Sequence, residues 1–326
     1  MLFARWSRRA PDVAVDLGTA FTRVYARGRG LLADEPSLVR VRPGAGFAEA
    51  VGRRASEPGR GVARPPMRAG VIVDGEAAKL LLQKLLWRAR GSVFAHPAVL
   101  VCAPADARPH EVEALKRATQ EAGASAVTVA PEPLAAAIGS GLDIGSRYTQ
   151  MVVDVGEGVT GVGVVRCGQL AGSATLRLGC GAVRAAVSVV ALRHGLRLGP
   201  GEAERLAGEA RAAPGDILAA GTDPVTGRQC CAWVPAREVA AAVEPLFTQV
   251  AGTVRRAWQD LSPTASCEVI ESGVRLAGGG ALMRGLRERI ATETALDVKT
   301  AADPLHAVIL GARRMVDVGP LSSPVS

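Results

Sequence analysis

Two aspartates in matching contexts are the residues of this 326-residue chain best suited to chemistry. Asp16 and Asp154 each end a short apolar run and open a D-x-G turn, and a second strand-like run follows each turn. This pattern predicts two β-hairpins. Glycine lets successive backbone amides approach a phosphate, and one or two carboxylates suffice for a hydrated magnesium ion. The alternative for either aspartate taken alone is that it caps its own turn.

The elements that must position these turns alternate between strands and helices. Residues 98–103 and 126–130 are apolar runs typical of buried strands, and a helix is predicted to begin between them at Pro109. In the second half, the strand at residues 274–277 runs into three consecutive glycines at residues 278–280. The alternation predicts α/β layers, and the repeated turn predicts a duplicated domain with a cleft between the two halves.

The net charge of +8 is concentrated near the N-terminus. Residues 1–70 contain thirteen arginines and no lysine against six acidic residues, a net charge of +7. Such a block binds anionic lipid or nucleic acid, or forms a solvated face. Because it contains few aromatic side chains that could stack on bases, nucleic acid is the least favoured partner, and we expect none.

The compartment is indicated by the N-terminus and by the cysteines. The first residues carry charge but no apolar core, so they do not form a secretory signal. No apolar run approaches the roughly 18 residues needed to span a bilayer. None of the six cysteines stands in a C-x-x-C pair, which favours reduced thiols in a cytoplasmic protein over a zinc site.

Six collinear motifs make the sequence similar to the MreB family of bacterial actins. They lie at residues 16–20, 28–37, 64–72, 132–142, 276–286 and 302–308. The resemblance implies an α/β actin-like ATPase fold, in which duplicated ribonuclease-H-like domains surround a nucleotide cleft. It implies a first domain at residues 10–143 with a small subdomain at about 31–73. A second domain would follow at residues 144–316, with a small subdomain at about 177–244. The ends of the chain would be a basic membrane-contact segment at residues 1–9 and a disordered tail at residues 317–326.

The resemblance also implies roles for single positions, with ATP and magnesium as cofactors. Asp16 and Asp154 would face the metal through its water ligands, and Glu132 would orient the water that attacks the γ-phosphate. A carboxylate suits that task because the water needs a proton acceptor, although an acid at a helix start also complements the helix dipole. The implied nucleotide contacts are Gly18, Thr19 and Ala20 in the first phosphate loop, Gly156, Glu157, Gly158 and Thr160 in the second, Glu204 near adenine, and Gly278, Gly279 and Gly280 beside adenosine.

Several positions depart from the pattern of the family. Glu157 adds a carboxylate to the second phosphate loop, and by analogy with actin we expect it to hold a water ligand of magnesium. Phe21 replaces a polar residue, Arg184 lies in a segment that is acidic in the family, and Ala207 replaces a lysine. We therefore expect nucleotide binding with, at most, weak ATPase activity.

Membrane contact has two candidate segments. Leu2, Phe3 and Trp6 could enter the headgroup region while neighbouring arginines meet anionic lipid. Val93 and Phe94 match the place where the family carries a membrane-inserting loop. The alternative is a frayed terminus and a buried loop anchor, since single exposed apolar residues are ordinary.

Several function classes compete on this fold. The leading one is an ATP-binding protein that forms filaments with itself on the inner face of the cytoplasmic membrane and helps determine cell shape by organising cell-wall synthesis with the elongation proteins. The alternative is a degenerate family member that acts as a non-hydrolysing scaffold or regulator. A sugar kinase would need an acceptor pocket with a catalytic aspartate, and a heat-shock chaperone ATPase would need a further substrate-binding domain. The sequence shows neither feature.

Overall fold

The computed structural model describes residues 10–42, 47–89, 96–199 and 201–318. Its strands are β1 (Val13–Leu17), β2 (Phe21–Ala26), β3 (Gly30–Pro36), β4 (Val39–Val41), β5 (Ala48–Val51), β6 (Val62–Arg64), β7 (Met67–Arg68), β8 (Val71–Ile72), β9 (Ala98–Ala103), β10 (Ala126–Pro131), β11 (Gln150–Val155), β12 (Thr160–Arg166), β13 (Gln169–Leu176), β14 (Arg197–Leu198), β15 (Asp216–Thr222), β16 (Gln229–Pro235), β17 (Val274–Ala277) and β18 (Val298–Thr300).

Its α-helices are α1 (Arg53–Ser56), α2 (Gly75–Ala89), α3 (Pro109–Glu121), α4 (Glu132–Gly139), α5 (Cys180–Arg193), α6 (Glu202–Glu209), α7 (Ala236–Gln259), α8 (Pro263–Ser272), α9 (Leu286–Thr294) and α10 (Ala307–Val318). Short 3₁₀ helices lie at Gly279–Leu282 and Pro304–His306. No helix within the described ranges combines the length and the apolar character needed to cross a membrane.

The first large sheet has the strand order β3-β2-β1-β9-β10. At its centre, β1 pairs antiparallel with β2 on one side and parallel with β9 on the other. All six residues of β9 are buried, which is typical of a parallel strand covered on both faces. The hairpin predicted around the first D-x-G turn is therefore present.

The second large sheet repeats the topology of the first. Its order is β13-β12-β11-β17-β18, again three antiparallel strands followed by two that run parallel to the central one. Asp16 is the second-last residue of β1, and Asp154 is the second-last residue of β11. The repeated turn in the sequence thus corresponds to a repeated sheet in the fold.

Helices α4 and α10 pack against each other in a core cluster that includes residues of both large sheets. Their contact depends on two glycines. A Cβ atom at Gly139 would lie 1.8 Å from the carbonyl oxygen of Ala307, and one at Gly311 would lie 1.8 Å from the carbonyl oxygen of Ala135. The two backbones therefore approach as closely as they do only because both side chains are absent.

The C-terminal helix also corrects one predicted boundary. Helix α10 continues through Val318, so residues 317 and 318 are helical and do not belong to a disordered tail. The Tyr25 hydroxyl donates a hydrogen bond to Asp317 Oδ1 at 2.9 Å, which fixes the end of the helix against β2. Although α10 follows the second sheet in sequence, it packs on β1, β2 and β9 of the first.

Two small three-stranded sheets accompany the large ones. One has the order β5-β4-β6 and the other has the order β14-β15-β16. In the second, Leu218 and Trp233 are cross-strand neighbours that both point to solvent, whereas Ile217 and Val234 point to the core. This alternation is that of an antiparallel sheet with one face packed and the other solvated.

Candidate functional site

A cavity of about 740 Å³ brings together residues from both halves of the chain. This volume lies within the range of small-molecule and cofactor sites. Most of the residues predicted to form the site line the cavity: Asp16, Gly18, Thr19, Ala20, Glu132, Asp154, Gly156, Glu157, Gly158, Glu204, Gly278 and Gly279. Residues separated by more than 250 positions in the sequence therefore share one concave surface.

The two D-x-G turns have the same hydrogen-bond geometry. The Gly18 amide donates to the Phe21 carbonyl oxygen at 3.0 Å, and the Gly156 amide donates to the Val159 carbonyl oxygen at 2.8 Å. In each turn the glycine bonds to the residue three positions later and closes a tight loop after the aspartate. The repeat of the sequence is thus a repeat of the backbone turn.

The two loops face each other across the cavity. A Cβ atom added at Gly158 would lie 2.9 Å from Thr19 Oγ1 and 2.8 Å from the Ala69 Cα atom, so only glycine allows this approach. Thr19 Oγ1 in turn accepts a hydrogen bond from the Gly70 amide at 3.1 Å. This arrangement of small residues and backbone amides suits a polyphosphate held between two walls.

Three carboxyl groups line this end of the cavity and influence one another. Burial, with a further contribution from Asp16, raises the pKa of Asp154 to about 7. Burial also raises the pKa of Glu132 well above its usual range, with Asp16 and Asp154 adding to the effect. Burial raises the pKa of Asp16, whereas Arg23 opposes that rise. These carboxyl groups have few positively charged neighbours, so a bound cation would stabilise their charged forms.

These residues fit a magnesium–nucleotide group. Asp16 and Asp154 supply two carboxylates, which is enough for an ion that keeps most of its water. Among the described residues no cluster of three or more His, Cys, Asp or Glu side chains has the geometry of a direct metal site. Magnesium would therefore be held here largely through water and phosphate, and it would neutralise the charge of the phosphates.

Glu157 lines the cavity, and its carboxylate has a charged partner there. Its carboxylate forms an ion pair with Arg184 Nη2, and Arg184 Nη1 donates to Glu204 Oε1 at 2.9 Å. That Glu157 holds a water ligand of magnesium stays a prediction, and in the ligand-free protein its carboxylate is paired with Arg184.

One carboxylate oxygen of Glu204 has no hydrogen-bond partner in the part of the chain that the structure describes. While Oε1 accepts from Arg184, Oε2 is buried and has no hydrogen-bond partner among the described residues. A buried acceptor without a donor is destabilising. The predicted place of Glu204 near adenine stays a prediction.

Thr160 and Gly280 do not line the cavity. Thr160 is fully buried, and its hydroxyl donates to the Leu178 carbonyl oxygen at 2.8 Å. A Cβ atom at Gly280 would lie 2.3 Å from Val155 Cγ1, so this glycine serves the packing of the 3₁₀ turn on β11. By contrast, Gly278 has a φ of +76°, and a Cβ there would lie 2.5 Å from Asp154 Oδ1. The triple-glycine loop is therefore shaped partly by packing and partly by the cavity.

Arg23 lines the cavity although the sequence reasoning did not single it out. It lies directly opposite Asp16 in the β1–β2 hairpin, and its Nη1 atom is 3.4 Å from Asp16 Oδ2. The signal that could have identified it is the hairpin register, since residues 16 and 23 flank the turn symmetrically.

The membrane-contact candidates Leu2, Phe3, Trp6, Val93 and Phe94 lie outside the described residues.

Solved structures with the same fold are actin-like. MreB 5 of Spiroplasma citri bound to AMPPNP superposes with a TM-score of 0.82 at 25% identity, over 95% of this chain and 96% of that one. A MamK chain in a double helical filament superposes with a TM-score of 0.76 at 21% identity, over 94% of this chain and 98% of that one. The fold is thus the actin-like ATPase fold that the sequence predicted.

Sequence comparison gives the same result. The cell shape-determining protein MreB of Escherichia coli K12 is 34% identical over 94% of this chain and 93% of its own length. The cell shape-determining protein Mbl of Bacillus subtilis 168 is 29% identical over 94% of this chain and 96% of its own length. The profile of the MreB/Mbl protein family matches residues 10–320. This chain belongs to the MreB/Mbl family.

Proposed function

We propose that this protein binds ATP with magnesium in the cavity between its two large sheets and polymerises in a nucleotide-dependent way. The observation that carries the proposal is the pair of identical D-x-G turns, which face one cavity from opposite walls. The solved MreB 5 structures from Spiroplasma citri hold AMPPNP and ADP, which supports a nucleotide as the ligand. Hydrolysis would be slow and would depend on Glu132.

The filaments would lie on the inner face of the cytoplasmic membrane and organise cell-wall synthesis together with elongation proteins. Support comes from the cell shape-determining relatives and from the basic N-terminal block. The apolar residues at 1–9 and 93–94 would enter the headgroup region, while arginines meet anionic lipid. Self-association would make this weak anchoring effective, because many subunits bind the surface at once.

Polymerisation and membrane binding are tested together by sedimentation and electron microscopy of the purified protein. With ATP and magnesium we expect polymer in the pellet, and with anionic vesicles we expect filaments on the lipid surface. Deletion of residues 1–9 combined with Phe94→Ser should release the protein from the vesicles without preventing polymer formation in solution. If this variant still sediments with the vesicles, the assigned membrane contacts are wrong.

A second candidate function is a scaffold or regulator that does not hydrolyse ATP. The observation that favours it is the occupation of the cavity by internal ion pairs, in which Arg184 joins Glu157 to Glu204 and Arg23 contacts Asp16. Such pairs are alternatives to nucleotide contacts. ATP affinity and steady-state phosphate release separate the two functions, since the scaffold would bind partners without turnover of ATP.

A further inference from the structure

Arg23 occupies the middle of a charged row that crosses three neighbouring strands. Strand register places Arg23 opposite Asp16 on one side and opposite Asp34 on the other. Its Nη1 atom lies 3.4 Å from Asp16 Oδ2, and its Nε atom lies 3.0 Å from Asp34 Oδ1. The arginine side chain is only 13% exposed, so this cation is held inside the site and not on its rim.

The charged row continues from Asp34 to residues of the second half of the chain. Asp34 also contacts His306 Nε2 at 3.2 Å, and His306 Nδ1 lies 2.9 Å from Asp303 Oδ1. The next residue, Pro304, accepts a hydrogen bond from the Gly278 amide at 2.8 Å. The row that begins at Asp16 thus ends beside the triple-glycine loop. A cation held in this way loses little further conformational entropy when a ligand arrives.

Arg23 is a cavity-lining arginine that retains unused hydrogen-bond donors beside Asp16. Arg184 is engaged by Glu157 and Glu204, and Arg205 is engaged by Glu202 and Glu209. Among the described residues Arg23 Nη2 has no acceptor, and the contact from Nη1 to Asp16 is long for a charge-assisted bond. A phosphate oxygen would be a better partner for both nitrogens than Asp16 is.

We propose that Arg23 donates hydrogen bonds to the phosphates of the bound nucleotide and acts as a counterion that belongs to the protein, so that nucleotide binding persists without divalent metal. The inference rests on the proposed function of the cavity as an ATP site. Its physical basis is that a guanidinium beside Asp16 neutralises part of the charge that magnesium would otherwise neutralise. The positive charge of Arg23 also disfavours a second cation at Asp16. Magnesium should therefore increase the affinity for ATP less than it would without Arg23.

The test is equilibrium binding of a fluorescent ATP analogue in magnesium and in EDTA, with wild type, Arg23→Met, Arg23→Lys and Arg54→Met. Arg54 is exposed and does not line the cavity, so its variant controls for the loss of one positive charge. When EDTA replaces magnesium, we expect the Kd of wild type and of Arg54→Met to rise by no more than about tenfold. In EDTA, the Kd of Arg23→Met should exceed that of wild type by about tenfold or more. Arg23→Lys should recover part of that loss, which a purely structural role would not predict.

The outcomes separate this inference from the proposed function. If wild type binds ATP in magnesium but loses more than about a hundredfold in EDTA, the role of Arg23 is refuted while the ATP site stands. Equal affinities of wild type and folded Arg23→Met in EDTA would refute it as well. If wild type binds no nucleotide under either condition, both proposals fail. Thermal melting of each variant establishes that it is folded.

Discussion

Arg184 donates a hydrogen bond from Nη1 to Glu204 Oε1 at 2.9 Å while its Nη2 atom pairs with Glu157. One side chain of α5 thereby joins the second D-x-G turn to α6. Two carboxylates on the cavity wall share this single cation. In the proposed ATP complex, Arg184 would offset the charge of Glu157, which alone would repel a triphosphate.

We predict that Arg184→Met weakens ATP binding by about tenfold, because it leaves two carboxylates uncompensated beside the nucleotide. Glu157→Gln in the Arg184→Met background removes the excess charge and should restore part of the affinity. The measurement is a double-mutant cycle of ATP affinities by titration calorimetry. A double variant that binds no better than Arg184→Met would show that the bridge has no electrostatic effect on the ligand.

The metal role of the two aspartates is tested by Asp16→Ala and Asp154→Ala. Each should abolish the enhancement of ATP binding by magnesium while the protein remains folded, because the water ligands of the ion lose their acceptors. ATP affinity is measured across a magnesium titration, and circular dichroism checks the fold. Asp216→Ala, an exposed change on β15, is the control. Unchanged magnesium dependence in both aspartate variants would remove the proposed metal site.

The stability of the ligand-free protein should depend on pH through Asp154. The pKa of Asp154 is raised from 3.8 to about 7, so between these values the folded state keeps a proton that the unfolded chain has released. The free energy of unfolding therefore falls as the pH rises from 3.8 to about 7. Asparagine carries no proton to release, so Asp154→Asn does not lose stability in this pH range. At pH 8 in EDTA, the free energy of unfolding of Asp154→Asn should exceed that of wild type by about 1 kcal/mol or more.

Urea denaturation at several pH values measures this effect. The matched control is Asp216→Asn, which changes an exposed carboxylate and should leave the pH dependence as it is in wild type. An Asp154→Asn variant with the same pH dependence as wild type would show that Asp154 does not hold a proton in the folded, ligand-free protein.

Glu132→Gln should separate nucleotide binding from hydrolysis. The glutamine keeps the size of the side chain at the start of α4 but cannot accept a proton from water, so phosphate release should fall by about a hundredfold. ATP affinity should stay within about threefold of wild type, because glutamine keeps the size of the side chain and burial already disfavours the charged form of Glu132. Phosphate release and ATP binding are measured side by side with Glu121→Gln, an exposed change in α3. Equal turnover in wild type and Glu132→Gln would exclude the water-orienting role.

The close contact of α4 and α10 predicts a large effect of a single methyl group. Gly311→Ala places a Cβ atom 1.8 Å from the Ala135 carbonyl oxygen, so the helices must separate, at a cost of about 3 kcal/mol. Gly252→Ala in α7 is the matched control, because its Cβ would lie 3.6 Å from the nearest neighbour and alanine favours the helix. Chemical denaturation compares them, and similar stabilities of the two variants would contradict the packing argument.

Local patterns in the sequence predicted the two hairpins and the α/β layers, and the resemblance to the MreB family implied the actin-like fold. The two D-x-G turns predicted two hairpins, and the apolar run at residues 98–103 is strand β9 with the same limits. Such features depend on neighbours in the chain, since glycine permits the turn and buried strands need continuous apolar residues. The position of α10 against β1 was not predictable in this way, because it depends on a contact between the two ends of the chain.

The sequence by itself determined the actin-like fold, and twelve of the fourteen residues that it predicted for the site line the cavity. Only the tertiary structure decided which charges meet there. Glu157 pairs with Arg184 and Asp16 with Arg23 because helix α5 and strand β2 bring those arginines to the cavity wall. Thr160 and Gly280 serve packing, since the Thr160 hydroxyl bonds to the Leu178 carbonyl oxygen and a Cβ atom at Gly280 would meet Val155. A motif specifies residue types along the chain, whereas the partner of each charge is set by how sheets and helices pack.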